Sequence, residues 1–321
     1  MTVAFVFPGQ GAQSIGMGLD LAARYPEARA VLDAVDAALP DDRPPLSQLC
    51  AEGPLEALTL TTNTQPAILA ASLACLAALR SRLPGLTPAV VAGHSLGEYS
   101  ALVCAGALGL AEAARLLRLR AEAMQAAVAP GEGAMSAILL LDDAAVTALC
   151  DEVRAELPGR VVSPANFNAP NQVVVAGHAD AVARVAARAA QRRGKAIALK
   201  VSAPFHCALM APAAESLREA LRTHPLAAPT VPVVANVDGA LHHGPDGIAD
   251  RLVAQVAGAV RWADGVRAMQ AAGVTTYVEV GPGEVLAGLI KRIHKGATLL
   301  SVRDAASLEA TVAALSPAES G

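Results

Sequence analysis

The segment from Pro88 to Leu102 constrains the fold more than any other: an apolar run, Pro88-Ala-Val-Val-Ala-Gly93, meets Gly93-His-Ser-Leu-Gly97, and a helical pattern follows. A short run without polar alternation reads as a strand buried on both faces, and such strands belong to parallel sheets covered by helices. The two glycines let the chain turn sharply and let strand and helix approach each other, because a glycine has no Cβ to obstruct either. That turn lifts the Ser95 hydroxyl into an open position beside the first N–H groups of the helix. A second apolar strand, Val3-Ala-Phe-Val-Phe7, runs likewise into the turn-rich segment Pro8-Gly-Gln-Gly-Ala-Gln13. Strand, loop and helix recur, so the expected class is α/β with a parallel sheet.

Composition fits that class. Apolar residues make up 54% and aromatics only 2%, so the core is built from Ala, Val and Leu, which suits helices lying close on a sheet. The net charge of -4, from 25 basic and 29 acidic side chains, gives no basic face for a nucleic acid. Cys50, Cys75, Cys104, Cys150 and Cys207 are scattered and include no CxxC pair, so neither a disulfide framework nor a metal site is expected and a reducing cytoplasm fits. The start, Met1-Thr2-Val3, does not read as a signal peptide, and the apolar runs Pro66–Leu79 and Ala101–Ala111 fall short of the roughly 20 residues of a membrane helix.

From Gly133 to Val201 the texture changes. Strand-like Ala134–Leu141, helical Ala144–Ala155, strands near Val161–Asn166 and Gln172–Ala176, helical Ala179–Arg193 and strand-like Ala196–Val201 follow one another. The order βαββαβ is the ferredoxin-like arrangement. Beyond it α/β character resumes, with strands at Val231–Asn236 and Thr276–Val280 and a helix at Leu286–His294. The expected organisation is a catalytic unit of residues 1–128 and 202–315, interrupted by an inserted unit of residues 129–201.

G-x-S-x-G between strand and helix is the pattern that presents a nucleophilic serine. Serine is inert at neutral pH unless a base takes its proton, which requires a histidine. The candidates are His94, His178, His206, His224, His242, His243 and His294, and His206 stands out because a loop after the last inserted strand can cross to the site. Arg115, Arg118 and Arg120 punctuate the helix after the turn. Arginines there are ordinarily surface side chains with buried stems. An acyl group carrying its own carboxylate would instead call for one fixed guanidinium able to grip both oxygens. Gly9, Gly11 and Gly16 break the dinucleotide-loop spacing, since position 14 is Ser, so the loop is better suited to aim the Gln10 N–H at a tetrahedral intermediate.

Six motifs together, Phe5–Gln13, Thr64-Gln-Pro-Ala67, Gly93–Leu102, Asn166-Phe-Asn-Ala-Pro-Asn-Gln172, Pro204-Phe-His206 and Glu279-Val-Gly-Pro-Gly283, resemble those of malonyl-CoA:acyl carrier protein transacylases, in order over residues 3–295. The resemblance implies an α/β-hydrolase-like unit with a ferredoxin-like insertion and a site in the cleft between them. It implies Ser95 as nucleophile, His206 as general base, Arg120 as the carboxylate-binding residue, and the N–H groups of Gln10 and Leu96 as oxyanion hole. It implies that a main-chain carbonyl near Gly258–Trp262 orients His206, that Gln65 and Asn168 line the pocket, and that Phe205 matches the malonyl-selective pattern. No cofactor or metal is implied, the substrate being malonyl-CoA.

The implied partner is an acyl carrier protein of fatty acid biosynthesis or, alternatively, of a polyketide synthase served in trans. Such partners are acidic, so Lys291 and Arg292 with Lys295, and then Arg192, Arg193 and Lys195, are the candidate docking patches. A monomer is expected. The rivals are a serine hydrolase or thioesterase, which would share Ser95 and His206, and a docking subunit without chemistry.

Overall fold

Two sheets organise the computed structural model, which describes residues 2–39, 44–224 and 226–316. Residues 1, 40–43 and 225 of the expected spans lie outside the described residues. The strands are β1 (Val3–Phe7), β2 (Val90–Gly93), β3 (Gly133–Leu139), β4 (Val162–Ala169), β5 (Gln172–His178), β6 (Lys195–Ala198), β7 (Val233–Val234), β8 (Leu241–His242), β9 (Thr276–Val280) and β10 (Thr298–Val302). One sheet has the order β10-β9-β1-β2-β7-β8, parallel from β10 through β7 with β8 antiparallel at the edge. The other has the order β4-β5-β3-β6 and is antiparallel throughout.

Alternation along the parallel strands explains their uniform burial. Phe5, Phe7, Val91, Val278 and Val280 point to the larger core, while Ala4, Val6, Val90, Ala92 and Tyr277 point to a second core on the opposite face. Both faces are covered by helices, which is why these strands read as unbroken apolar runs. The helix Thr61–Arg82 crosses the larger core, and its 22 residues exceed the apolar run visible in the sequence. By length and composition it is able to span a membrane, but 83% of its most apolar window is buried inside the protein. The antiparallel sheet has a third core with the helices Asp143–Glu156 and Ala179–Gln191.

Register carries these elements to the site. β1 and β2 are adjacent and parallel, with Phe7 opposite Gly93, so the loop holding Gln10 and the turn holding Ser95 leave neighbouring carboxyl ends together. In open parallel sheets this edge is where ligands bind. The antiparallel sheet is fastened beside it where Phe167 N–H donates to Val260 O (2.9 Å) and Val260 N–H to Ala165 O (2.8 Å). Short as β7 is, only two residues against the six expected, it ends just before Asn236.

Candidate active site

The turn after β2 is built by close approach. A Cβ on Gly93 would lie 1.9 Å from Gly97 O, and one on Gly97 would lie 2.3 Å from Phe7 O, so neither position admits a side chain. Ser95 adopts φ 53°, the left-handed region that non-glycine residues avoid. Asn236 holds it there: its Oδ1 accepts from Ser95 N–H (2.6 Å) and its Nδ2 donates to Gly93 O (2.6 Å). The helix Gly97–Cys104 begins directly, with Leu96 as its N-cap.

Two side chains converge on the Ser95 hydroxyl. His206 Nε2 is 2.8 Å from Oγ, and Arg120 Nη2 donates to the same oxygen at 3.1 Å. His206 Nδ1 is 2.8 Å from Gln255 O, and a carbonyl only accepts, so Nδ1 carries the proton and Nε2 is left to accept from the serine. The carbonyl expected near Gly258–Trp262 is that of Gln255, in the last turn of the helix Ile248–Ala257, with the Gly258 backbone acting in the same sense. Burial, followed by the Arg120 charge, lowers the His206 pKa from 6.5 to about 3. The imidazole is thus neutral at physiological pH and available as a base.

Arg120 is 1% exposed, and its three hydrogen-bond partners, Gln65 Oε1 (2.5 Å), Ser95 Oγ and Gln255 Oε1 (2.8 Å), are all neutral. Its Nε is buried with no partner. Among the described residues no carboxylate lies within ion-pair distance of it. Burial lowers its pKa, as expected of a cation short of counter-charge. Of its helix neighbours, Arg115 faces Glu112 at the surface (3.8 Å), whereas Arg118 is also buried and donates to Asn63 Oδ1 (3.0 Å). The surface reading therefore holds for Arg115 alone.

These groups line one cleft together with Gln10, Gln65, Leu96, Met135 and Phe205. Asn166, not Asn168, lines it. Asn168 instead lies behind His94, its Oδ1 2.8 Å from His94 Nε2. Irregular register on both sides of Asn166 and Phe167 separates the two asparagines' tasks. Outside the cleft, Arg292 donates to Pro170 O (2.6 Å) and to Gln172 Oε1, tying the helix Val285–Ile293 to the turn between β4 and β5. It is thus held internally, while Lys291 and Lys295 are exposed on the same element or just beyond it. Arg192 pairs with Glu152 (2.8 Å).

The profile of the acyl transferase domain matches residues 4–315. The chain belongs to that family. Its acyl transferase relatives include the malonyl CoA-acyl carrier protein transacylase of Escherichia coli strain K12, 48% identical over 310 residues, which are 96% of this chain and 98% of that protein. The acyl-carrier-protein S-malonyltransferase of Burkholderia pseudomallei 1710b superposes with a TM-score of 0.92 at 46% identity, over 98% of this chain and all (100%) of that one. A malonyl-transacylase solved in complex with its type II PKS acyl-carrier protein has a TM-score of 0.92 at 41% identity, over 98% of this chain and 100% of that chain. The family and the α/β class expected from the sequence are those observed.

Gln255 and Asn236 of this acyl transferase site carry no sequence signal that singled them out, and Glu98 lies inside the Gly93–Leu102 motif without a role of its own being read there. Gln255 contributes its carbonyl to His206, its Oε1 to Arg120, and its Nε2 to both Ser95 O (3.0 Å) and Glu98 Oε2 (2.8 Å). Asn236 lies 141 positions from Ser95, and Gln255 lies 160 away. Only topology brings them together, and a polar residue on an amphipathic helix such as Ile248–Ala257 otherwise reads as a surface position.

Proposed function

We propose that this chain transfers a malonyl group from malonyl-CoA to the phosphopantetheine thiol of an acyl carrier protein, through an ester on Ser95. The observation that carries the reading is the buried Arg120 with only neutral partners, set on the same oxygen as His206. Leaving a buried cation unpaired costs several kcal/mol. A substrate carboxylate supplies the missing partner, and only a planar guanidinium meets both its oxygens.

In this mechanism His206 Nε2 takes the Ser95 proton as Oγ attacks the thioester carbon. The N–H groups of Gln10 and Leu96, both at the cleft, donate to the developing oxyanion. The intermediate collapses, the C–S bond breaks, and imidazolium returns its proton to the departing thiolate of coenzyme A. The carrier protein's thiol, deprotonated by His206, then attacks the serine ester, and Ser95 leaves reprotonated. No cofactor takes part. Phe205 and Met135, which line the same cleft, limit the room beside the acyl group, which disfavours branched substrates. The E. coli relative, a malonyl CoA-acyl carrier protein transacylase, supports an acyl carrier protein as partner, and we place that carrier in fatty acid biosynthesis. The relative solved with a type II PKS carrier protein supports a second reading, in which the partner belongs to polyketide assembly. The chain is proposed to act as a cytoplasmic monomer.

Ping-pong chemistry has a direct test. Labelled coenzyme A exchanges into malonyl-CoA without carrier protein if a serine ester forms, and absence of exchange alongside fast overall transfer contradicts the ester. A hydrolase would instead release malonate at the same rate with or without the carrier.

The docking patch gives a second expectation. Lys291→Glu lowers kcat/KM for the carrier protein several-fold, by about 1 kcal/mol, with self-acylation unchanged and the loss shrinking at high salt. Because Arg292 is held by Pro170 and Gln172, its replacement loosens the contact between the two sheets' units and lowers Tm as well. Kinetics on each single variant separate the two effects.

The pH dependence follows from His206. Its neutral form is the active one and its folded pKa is depressed, so activity persists as pH falls through 6.5 and is lost only toward 3. Self-acylation kcat/KM, measured between about pH 5 and 8, is therefore flat through the ordinary histidine range. An acid limb centred at the ordinary histidine pKa would contradict this.

A further inference from the structure

Glu98 stands three residues after Ser95, in the first turn of the helix Gly97–Cys104, and is 3% exposed. Its Oε2 accepts from two donors, Asn236 N–H at 3.1 Å and Gln255 Nε2 at 2.8 Å. Each donor residue in turn holds part of the reacting centre. Asn236 clamps the strained turn at Ser95 and Gly93. Gln255 holds His206 through its carbonyl and Arg120 through Oε1.

A glutamine amide has two orientations that differ only in exchanging oxygen and nitrogen. With Glu98 Oε2 and Ser95 O both accepting from Nε2, Oε1 faces Arg120. Without Glu98, Ser95 O alone is left to accept from Nε2, one buried amide N–H goes unsatisfied, and the side chain that sets Arg120 is held less firmly. The Asn236 N–H would meanwhile be buried and unsatisfied, and the clamp on Ser95 would loosen.

We propose that Glu98 is a positioning residue for acyl transfer, one oxygen setting Ser95 through Asn236 and setting His206 and Arg120 through Gln255. The inference rests on the transacylase reading above. Acceptor geometry is what matters, not charge, because a proton on Oε1 leaves Oε2 free to accept. Burial raises the Glu98 pKa to about 7, with Gln255, Asn236 and Arg120 opposing and Asp238 reinforcing the rise. His242 and Arg251 line a small second hollow with it. The arrangement therefore works across neutral pH in either protonation state.

Glu98→Leu and Glu98→Gln test this in the full chain. Two quantities are read: the rate at which a fluorophosphonate labels Ser95, and the ratio of kcat/KM for malonyl-CoA to that for acetyl-CoA. In Glu98→Leu, each falls at least about tenfold, the loss expected for unsatisfied buried donors next to the reacting groups. Glu98→Gln, which keeps a carbonyl acceptor, rescues both to within about threefold of native between about pH 6 and 8. A merely structural role would lower Tm and leave the malonyl-to-acetyl ratio of the folded fraction unchanged. A folded Leu variant with native labelling and native selectivity overturns the proposal, as does a Gln variant as impaired as the Leu one. If Glu98→Leu does not fold, the Gln variant alone decides. Native protein that resists the probe would instead overturn the nucleophilic role of Ser95 itself.

Discussion

Ser95→Ala abolishes covalent capture of the malonyl group and lowers carrier-protein malonylation by roughly four orders of magnitude or more, the scale seen when a serine nucleophile is removed. The fold survives, because the contact that holds the turn is made by the Ser95 backbone N–H to Asn236, not by the hydroxyl. His206→Ala has a comparable effect, since Oγ loses the group placed 2.8 Å away to take its proton. The double variant is hardly worse than either single one, as befits two groups acting in one step. Rates for the three variants, each with a thermal melt to establish folding, check this. A Ser95→Ala protein that transfers malonyl at even a tenth of the native rate, about 1.4 kcal/mol, would exclude the ester.

Arg120→Ala has the second largest effect and changes selectivity more than turnover. Malonyl-CoA loses its carboxylate partner inside a buried site, a loss of about 3–4 kcal/mol, or roughly 10²–10³-fold in kcat/KM. Acetyl-CoA, which has no carboxylate to lose, falls far less, so the preference for malonyl collapses. Arg120→Lys does not restore it: an ammonium cannot reach Gln65, Gln255 and both substrate oxygens in one plane. The acid limb moves as well. Arg120 is the second cause of the low His206 pKa, so removing its charge shifts the limb upward. Paired pH profiles of self-acylation for native and Arg120→Ala proteins measure the shift, and equal losses for malonyl and acetyl would overturn the role given to Arg120.

The parts of this molecule that were legible beforehand share one property: their physics is local. A buried parallel strand is an unbroken apolar run, and the tight turn after β2 needs glycines at fixed spacing because a Cβ at Gly93 or Gly97 would lie only 1.9 or 2.3 Å from backbone oxygen. The inserted βαββαβ order could be read from alternating periodicities over 133–201. Arg120 was one of three equivalent arginines until the resemblance separated them, since a buried and a surface arginine on one helix look alike in sequence. The supporting network was invisible for the opposite reason. Glu98 lies within the Gly93–Leu102 motif, but Asn236 and Gln255 reach it and Ser95 across more than 130 residues, and no local pattern distinguishes those two from solvated polar positions. The His206 carbonyl shows the same limit: the expected segment began three residues beyond Gln255, because only the helix end at Ala257 determines which carbonyl points inward.

The central claim is a malonyl ester on one serine, and intact-protein mass after brief incubation with malonyl-CoA tests it most directly. Native protein should gain a single malonyl mass that maps to Ser95, lose it when carrier protein is added, and gain little with acetyl-CoA. Ser95→Ala should gain nothing. No adduct on native protein, or an adduct that persists in Ser95→Ala, would contradict the account.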